Sequence, residues 1–143
     1  MEEEKKVKPA AKKAGMIVKA KKKNAVARAV IKKGTGVIKI NHINIKVYAK
    51  GYIKELILEP VRLAGDAVKE YDIEVNVKGS GFMSQAVAIR SCIAKALVRA
   101  KGKKLKEIFT AYDRTLLVDD VRRVESKKPL GRKARKKKQK SKR

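Results

Sequence analysis

The chain has 143 residues, 40 of them Lys or Arg and 14 Asp or Glu, so its formal net charge is +26. This length allows one compact domain and little more. So high a charge excludes an ordinary free-standing globular protein and favours a dense polyanion as the partner, because an isolated domain would repel itself.

The remaining composition excludes other classes of protein. Cys92 is the single cysteine, which excludes an intramolecular disulfide. No apolar run approaches the ~20 residues that a membrane span needs. The first four residues lack the basic start and apolar stretch of a signal peptide. We therefore expect a reducing, cytoplasmic setting and no membrane partner.

The charge is concentrated at the two ends of the chain. Residues 1–33 hold 12 basic and 3 acidic side chains, and residues 122–143 hold 13 basic and one acidic. Residues 34–121 hold 15 basic and 10 acidic side chains. We predict a disordered basic N-terminal extension over residues 1–15, a globular domain over 16–121, and an extended basic C-terminal tail over 122–143.

Alternating apolar residues predict strands in the first half of the domain. Residues 25–32 alternate with a period of two, the glycines of 33–36 predict a tight turn, and 37–40 resume extended chain. Asn41-His42 predicts a second turn, after which residues 43–47 alternate again. We expect a meander of short antiparallel strands.

Helical patterns follow. Residues 52–58 and 60–69 are predicted helices, with Pro60 in the first turn of the second. Residues 71–78 form the cleanest half-buried strand in the sequence. The strongest helix covers 84–101, and it is apolar over so much of its circumference that it must pack on a sheet and also contact another element.

The last elements complete a two-layer domain. Residues 103–110 predict a shorter helix and 116–118 a possible last strand, and nothing beyond residue 121 can build a core. The order of sheet, helix, strand, helix and basic tail predicts an α+β fold with a mostly antiparallel sheet.

Basic side chains are the main candidates for function. A flexible polycation gains affinity for nucleic acid by releasing counterions from phosphates. A nuclear-import or solubility tract is the alternative, and charge alone does not separate RNA from DNA. The candidate phosphate-binding side chains are Lys21, Lys22, Lys23, Arg28, Arg122, Arg123, Lys127, Lys128, Arg132, Lys133, Arg135, Lys136, Lys137, Lys138 and Lys140.

The segment Gly79-Ser80-Gly81 lies between a predicted strand and a predicted helix. Its backbone amides are one candidate phosphate cradle, and a plain turn is the equally weighted alternative. Nucleotide binding is disfavoured, because no Walker-type Lys-Ser/Thr follows and the pattern Gly-x-Gly-x-x-Gly is incomplete.

Other reactive residue types have structural interpretations. His42 is the only histidine and falls in a turn, and Cys92 has no partners at metal-ligand spacing, so we expect no metal and no cofactor. Asp113, Asp119 and Asp120 are expected to form salt bridges at the root of the tail rather than a catalytic pair. With few aromatic residues to stack on bases, recognition should rest on phosphates, 2′-hydroxyls and RNA shape.

Four stretches together resemble one known family, that of the universal ninth protein of the small ribosomal subunit, in its archaeal and eukaryotic branch. The stretches resemble the family's first strand, its hairpin, its signature loop with the following helix, and its tail. In the family's order, they are residues 22–29, then 34–36 with 38–41, then 79–81 with 84–90 and 93–97, and finally 120–125 with 127–131 and 141–143. Ser80, His42 and Val121 depart from residues that are common in the family at these turns.

This resemblance implies a fold, a function and a set of contacts. The fold is the two-layer α/β sandwich of the ribosomal S-five second-domain type, with helices on one face and a left-handed βαβ crossover. The function is that of a structural protein in the head of the small subunit, bound to the 3′ major domain of its rRNA and to neighbouring head proteins. Its tail is expected to reach the peptidyl site, where Lys142 and Arg143 contact the tRNA.

Two rival functions remain from other classes of protein. A DNA-compacting protein is compatible with the polycationic ends, but it should show duplex-binding elements or repeated basic surfaces. A nucleotide-binding enzyme of the same fold group lacks its phosphate-loop signature here. We expect a protein that is not an enzyme.

Overall fold

A computed structural model of the chain describes residues 15–141. The predicted N-terminal extension, apart from its last residue, and the predicted tRNA contacts Lys142 and Arg143 lie outside these residues. Within the described range, no helix is long and apolar enough to cross a membrane.

The described residues form a five-stranded sheet and four α-helices. The strands are β1 (Met16–Lys22), β2 (Ala25–Lys33), β3 (Ile38–Ile40), β4 (Ile43–Asn44) and β5 (Tyr71–Lys78). The helices are α1 (Ile45–Tyr48), α2 (Gly51–Ala64), α3 (Phe82–Lys101) and α4 (Lys103–Tyr112). Two 3₁₀ turns cover Gly65–Val68 and Arg114–Leu116.

The sheet has the order β1-β2-β5-β3-β4, and every neighbouring pair is antiparallel except β3 with β5. Alternate residues of β2, β3 and β5 are buried on one face, and α3 packs on that face against β1, β2 and β5. The predicted two-layer α+β fold with helices on one face is therefore confirmed, while the predicted handedness of the crossover stays a prediction.

Small side chains bring α3 close to the β1–β2 hairpin. Ala20, Ala27 and Ala29 are completely buried on the covered face. The thiol of Cys92 lies 3.5 Å from the backbone oxygens of both Val18 and Ala27. Burial raises the pKa of this thiol to about 11, so it is protonated and packed at neutral pH, as predicted.

The predicted antiparallel meander is confirmed for β3 and β4, which pair across the Asn41-His42 turn. It is wrong for β2 and β3, because β5 inserts between them. The 33–36 segment leads the chain past the end of β5 rather than making a hairpin. Asp72 of β5 holds it there by accepting the backbone N–H groups of Val37 and Thr35, each at 2.9 Å. These bonds keep the pKa of Asp72 below its usual value.

Side-chain caps shorten one predicted strand, over 43–47, to the two residues of β4 and replace another. The alternation over 43–47 stops because the Asn44 side chain accepts the N–H of Lys46 at 3.0 Å and caps α1. The strand predicted at 116–118 is absent, because Leu116 is the last residue of a 3₁₀ turn that Asp113 caps by accepting the N–H of Thr115 at 2.7 Å. Both residues favour a local turn over a sheet ladder.

The two helices predicted for 52–58 and 60–69 are one helix, α2, followed by a 3₁₀ turn. Pro60 is inside the helix and fully buried, not in a first turn. The packing of α2 along α3 therefore outweighs the hydrogen bond that proline cannot make.

Arg90 joins the helices from inside the helical layer. It is only 8% exposed and pairs with Glu59 of α2 and, at 2.9 Å, with Asp113 after α4. Burial alone would raise the pKa of Asp113, but hydrogen bonds from Thr115 and Arg90 keep it below its usual value. Asp113 thus forms a salt bridge, as predicted, but between helices rather than at the root of the tail.

We predict that Arg90→Met lowers the free energy of unfolding by about 2–3 kcal/mol, because it leaves two partly buried carboxylates without their cation. Arg62→Met is the matched control: Arg62 pairs with Glu55 on the surface, is 63% exposed, and should cost under about 0.5 kcal/mol. Urea titration followed by far-UV circular dichroism measures both. Equal losses in the two variants would contradict a stabilising role for the Arg90 pairs.

Candidate nucleic-acid interface

Three segments that are far apart in the sequence meet at one end of the sheet. They are the β1–β2 turn at residues 23–24, the loop 79–81, and the root of the tail at residues 119–123. Loop 79–81 lies against the turn so closely that a Cβ on Gly79 would collide with the backbone oxygen of Asn24. From the tail, Arg123 Nη1 donates to Asn24 Oδ1 at 3.2 Å. We call these three segments the basic end.

Two carboxylates anchor the tail at its root. Asp119 accepts the backbone N–H of Lys21 at 3.3 Å and the ammonium of Lys95 at 2.6 Å. Asp120 pairs with Lys22 and, at 2.6 Å, with Arg122, and it forms a parallel bridge with the edge strand β1. The salt-bridge role predicted for these two aspartates is confirmed.

Hydrogen bonds from Arg122 and Lys22 hold the pKa of Asp120 well below its usual range. The carboxylate is therefore charged throughout the physiological pH range. Lys22 and Arg122 both meet this anion, so they are less available for phosphate than Lys23, which has no ion-pair partner among residues 15–141.

In the loop 79–81, the structure explains why a glycine is needed at position 79 but not at position 81. Gly79 has a φ of +86° as well as the close approach to Asn24, which together exclude a side chain. Gly81 caps α3 without a side-chain hydrogen bond, and a Cβ there would meet nothing within 4 Å. The turn accounts for the glycine at position 79, and the phosphate contact predicted for Gly79, Ser80 and Gly81 stays a prediction.

Arg28 lies on the other face of the hairpin from α3. It is exposed in the middle of β2, directly opposite Lys19 of β1 and Asn76 of β5. Lys19 is not among the candidate phosphate-binding residues predicted from the sequence, because β1 was not predicted as a strand. Lys78, which lies opposite Val26 beside the basic end, is also not among them.

Phe82, at the first position of α3, is a further residue that the sequence reading missed. Its ring is 70% exposed beside the loop 79–81. Helical periodicity places Phe82 in line with Ile89 and Ile93 of the apolar face, so the sequence offered no signal that separated it from a core residue. Its exposure at the start of the helix is visible only in the structure.

The tail exposes nearly all of its basic side chains. Between Lys128 and Lys137 it turns back on itself, with Arg132 donating its N–H to the backbone oxygen of Lys136 at 2.8 Å. Glu125 pairs with Arg135 at 2.9 Å and with Lys128 at 3.6 Å. The other predicted tail contacts meet no acid among the described residues; they are Arg132, Lys133, Lys136, Lys137, Lys138, Lys140 and Lys127.

The tail also contributes no apolar side chain to the core. Val121, Val124 and Leu130 are each almost 90% exposed. The tail is therefore attached to the domain mainly through Asp119 and Asp120. The basic side chains that follow them in the sequence face solvent.

The residue types that carry catalysis or metal binding have structural roles. His42 lies in the β3–β4 turn with a φ of +69°, and its Nδ1 is 2.9 Å from Glu74 Oε1. Within residues 15–141, no group of three His, Cys, Asp or Glu side chains is placed to hold a metal ion.

The chain is similar to small-subunit ribosomal proteins over most of its length. The family model described as Ribosomal protein S9/S16 matches residues 20–143. A small ribosomal subunit protein uS9 of Thermoplasma volcanium is 49% identical over 127 residues, which cover 88% of this chain and 96% of that protein. Proteins of the same name from Picrophilus torridus and Thermoplasma acidophilum are 48% and 46% identical, over 85% and 88% of this chain and 92% and 98% of their own lengths.

We predict that Gly79→Ala lowers the free energy of unfolding by about 1–3 kcal/mol, because it adds a Cβ at positive φ against the turn. Gly81→Ala is the matched control, since its Cβ has open space and its φ is negative. Thermal unfolding of both variants measures the difference. If Gly79→Ala proved as stable as Gly81→Ala, the close packing of the loop on the hairpin would be wrong.

Proposed function

The chain belongs to the ribosomal protein S9/S16 family, and on this premise we propose that it is a structural component of the small ribosomal subunit that binds rRNA and is not an enzyme. The observation that carries the proposal is the basic end. There the hairpin turn, the loop 79–81 and the tail root converge, and the tail leaves the domain from the same place.

The charge at this site fits a phosphate partner. Lys23 and Arg123 are exposed, and the tail adds a run of cations that meet few acids of their own chain. Arg offers a planar fork of donors that matches a phosphate group, and Lys offers a flexible point charge. Each phosphate that these side chains neutralise releases counterions, which favours binding.

Within the subunit, we place the domain in the head, against the 3′ major domain of the rRNA and neighbouring head proteins, as the family resemblance implies. The tail is proposed to reach the peptidyl site, where Lys142 and Arg143 contact the tRNA. Its length supports this reach, because the 22 residues from Arg122 to Arg143 span up to about 70 Å when extended.

The DNA-compacting alternative predicts no preference between rRNA and duplex DNA. The structure favours RNA in one respect: among the described residues, no exposed helix carries a row of cations unbroken by acids. The long helix α3 is buried over most of its circumference, and α4 is short and has Glu107 one turn after Lys103 on the same face. Competition between rRNA and duplex DNA at equal phosphate concentration separates the two functions.

We predict that deleting residues 127–143 flattens the salt dependence of rRNA binding. If the tail makes about six phosphate contacts, the log–log slope should fall by about four to five units. The matched control is Lys103→Gln/Lys104→Gln/Lys106→Gln on α4, which removes charge from the opposite layer and should leave the slope almost unchanged. Filter binding across a salt series measures both, and an unchanged slope after the deletion would show that the tail does not lie on phosphate.

We predict that removing only Lys142 and Arg143 leaves assembly into small subunits nearly intact, because the upstream cations remain. It should weaken tRNA held in the peptidyl site by about 1–3 kcal/mol at most, the cost of one or two charge-assisted contacts. The tRNA dissociation rate from programmed small subunits measures this, with Lys103→Gln/Lys104→Gln as the control of equal charge. Equal rates in truncated, control and full-length subunits at low salt would exclude the tRNA contact.

A further inference from the structure

The face of the sheet opposite α3 is not covered by any element of the described residues. Because side chains alternate along a strand, the pairing register identifies which residues share this face. They are Ile17, Lys19 and Lys21 of β1, Val26, Arg28, Val30 and Lys32 of β2, Asp72, Glu74, Asn76 and Lys78 of β5, and Lys39 of β3. We call this surface the open face.

Charge is divided unevenly along the open face. At the end near the 33–37 segment, Lys32 lies opposite Asp72 and Lys39 opposite Glu74, so cations and acids alternate. At the other end, next to the β1–β2 turn, the charged residues are all basic. They form a cationic block that consists of Lys19, Lys21, Arg28 and Lys78.

The cationic block places like charges side by side. Lys19 is directly opposite Arg28 on neighbouring strands, which lie about 4.8 Å apart. Val26 of β2 lies between Lys21 on one side and Lys78 on the other. Like charges in directly opposite positions destabilise a sheet. None of the four side chains forms an ion pair with an acid among residues 15–141.

We propose that the cationic block binds the sugar–phosphate backbone of a double-helical RNA segment. An anion seated over Lys19 and Arg28 removes the repulsion between them. The block is also continuous with the basic end, since Lys78 directly precedes Gly79 and Lys21 lies two residues before the turn. The inference rests on the proposed rRNA function and extends it to a surface separate from the tail.

The side chains of the open face are better suited to paired than to unpaired RNA. Unpaired bases are held by stacking on aromatic side chains, and the open face has none. A paired segment presents phosphates and 2′-hydroxyls to a flat surface and hides its bases, which suits a sheet of Lys, Arg and Asn side chains. A protein partner is disfavoured, because the cores of protein interfaces are depleted in lysine.

The first test compares Lys19→Gln/Arg28→Gln with Lys103→Gln/Lys104→Gln, two full-length variants of equal charge. The probes are a short blunt RNA duplex and an oligouridine with the same number of phosphates. We expect the open-face variant to weaken duplex binding about tenfold relative to the control, with a salt slope lower by about 1.5–2 units. Its oligouridine affinity should change under about threefold.

Two outcomes of this test would overturn the inference. If the open-face variant and the α4 variant bind the duplex equally, the block does not contact RNA. If the open-face variant loses duplex and oligouridine binding to the same extent, the block does not select paired RNA. Circular dichroism of each variant checks that the sheet is intact.

A second test uses the unaltered protein, so folding cannot affect it. Acetylation of lysines in the presence of the duplex, read by mass spectrometry, should show Lys19 and Lys78 protected relative to Lys103 and Lys104. Equal acetylation at all four sites would overturn the proposal. Failure of the proposed rRNA function itself would appear instead in the competition experiment, as full-length protein that shows no preference for rRNA over duplex DNA at equal phosphate concentration.

Discussion

The close packing of α3 on the β1–β2 hairpin is the contact on which the rest of the structure depends. Alanines at 20, 27 and 29 let the helix approach until the thiol of Cys92 reaches the strand backbones. Because α3 occupies one face of the sheet, the other face is left for charged residues. The same helix carries Arg90, which joins α2 to the end of α4, and Lys95, which holds Asp119 at the root of the tail.

The excess of positive charge is compatible with this fold because it is kept out of the core. Arg90 is the one buried cation among the described residues, and two carboxylates pair with it. Other acidic residues stabilise local structure. Asp72 accepts hydrogen bonds from the segment after β2, and Asp119 and Asp120 form ion pairs at the root of the tail. Most of the remaining cations face outward, and their mutual repulsion is what a polyanionic partner removes.

Local patterns predicted the elements whose burial follows a simple period. Strands β2 and β5 and helix α3 were predicted within two residues of their bounds, because one face of each strand and most of the helix are apolar. The secondary-structure predictions failed where a single side chain determines the local conformation. Asn44 and Asp113 cap short helical turns where an apolar pattern favoured a strand. Pro60 stays within a helix because packing compensates for the N–H donor that it lacks.

By itself, the sequence determined that positive charge is concentrated in residues 122–143, that the fold is α+β and which family the chain belongs to, since composition and periodicity are local properties. Only the tertiary structure decided that β5 separates β2 from β3, that the turn at 23–24 meets loop 79–81 and the tail root, and that Lys19 lies against Arg28. Strand pairing and register join residues that are distant along the chain, and no local pattern specifies which partner a strand will take.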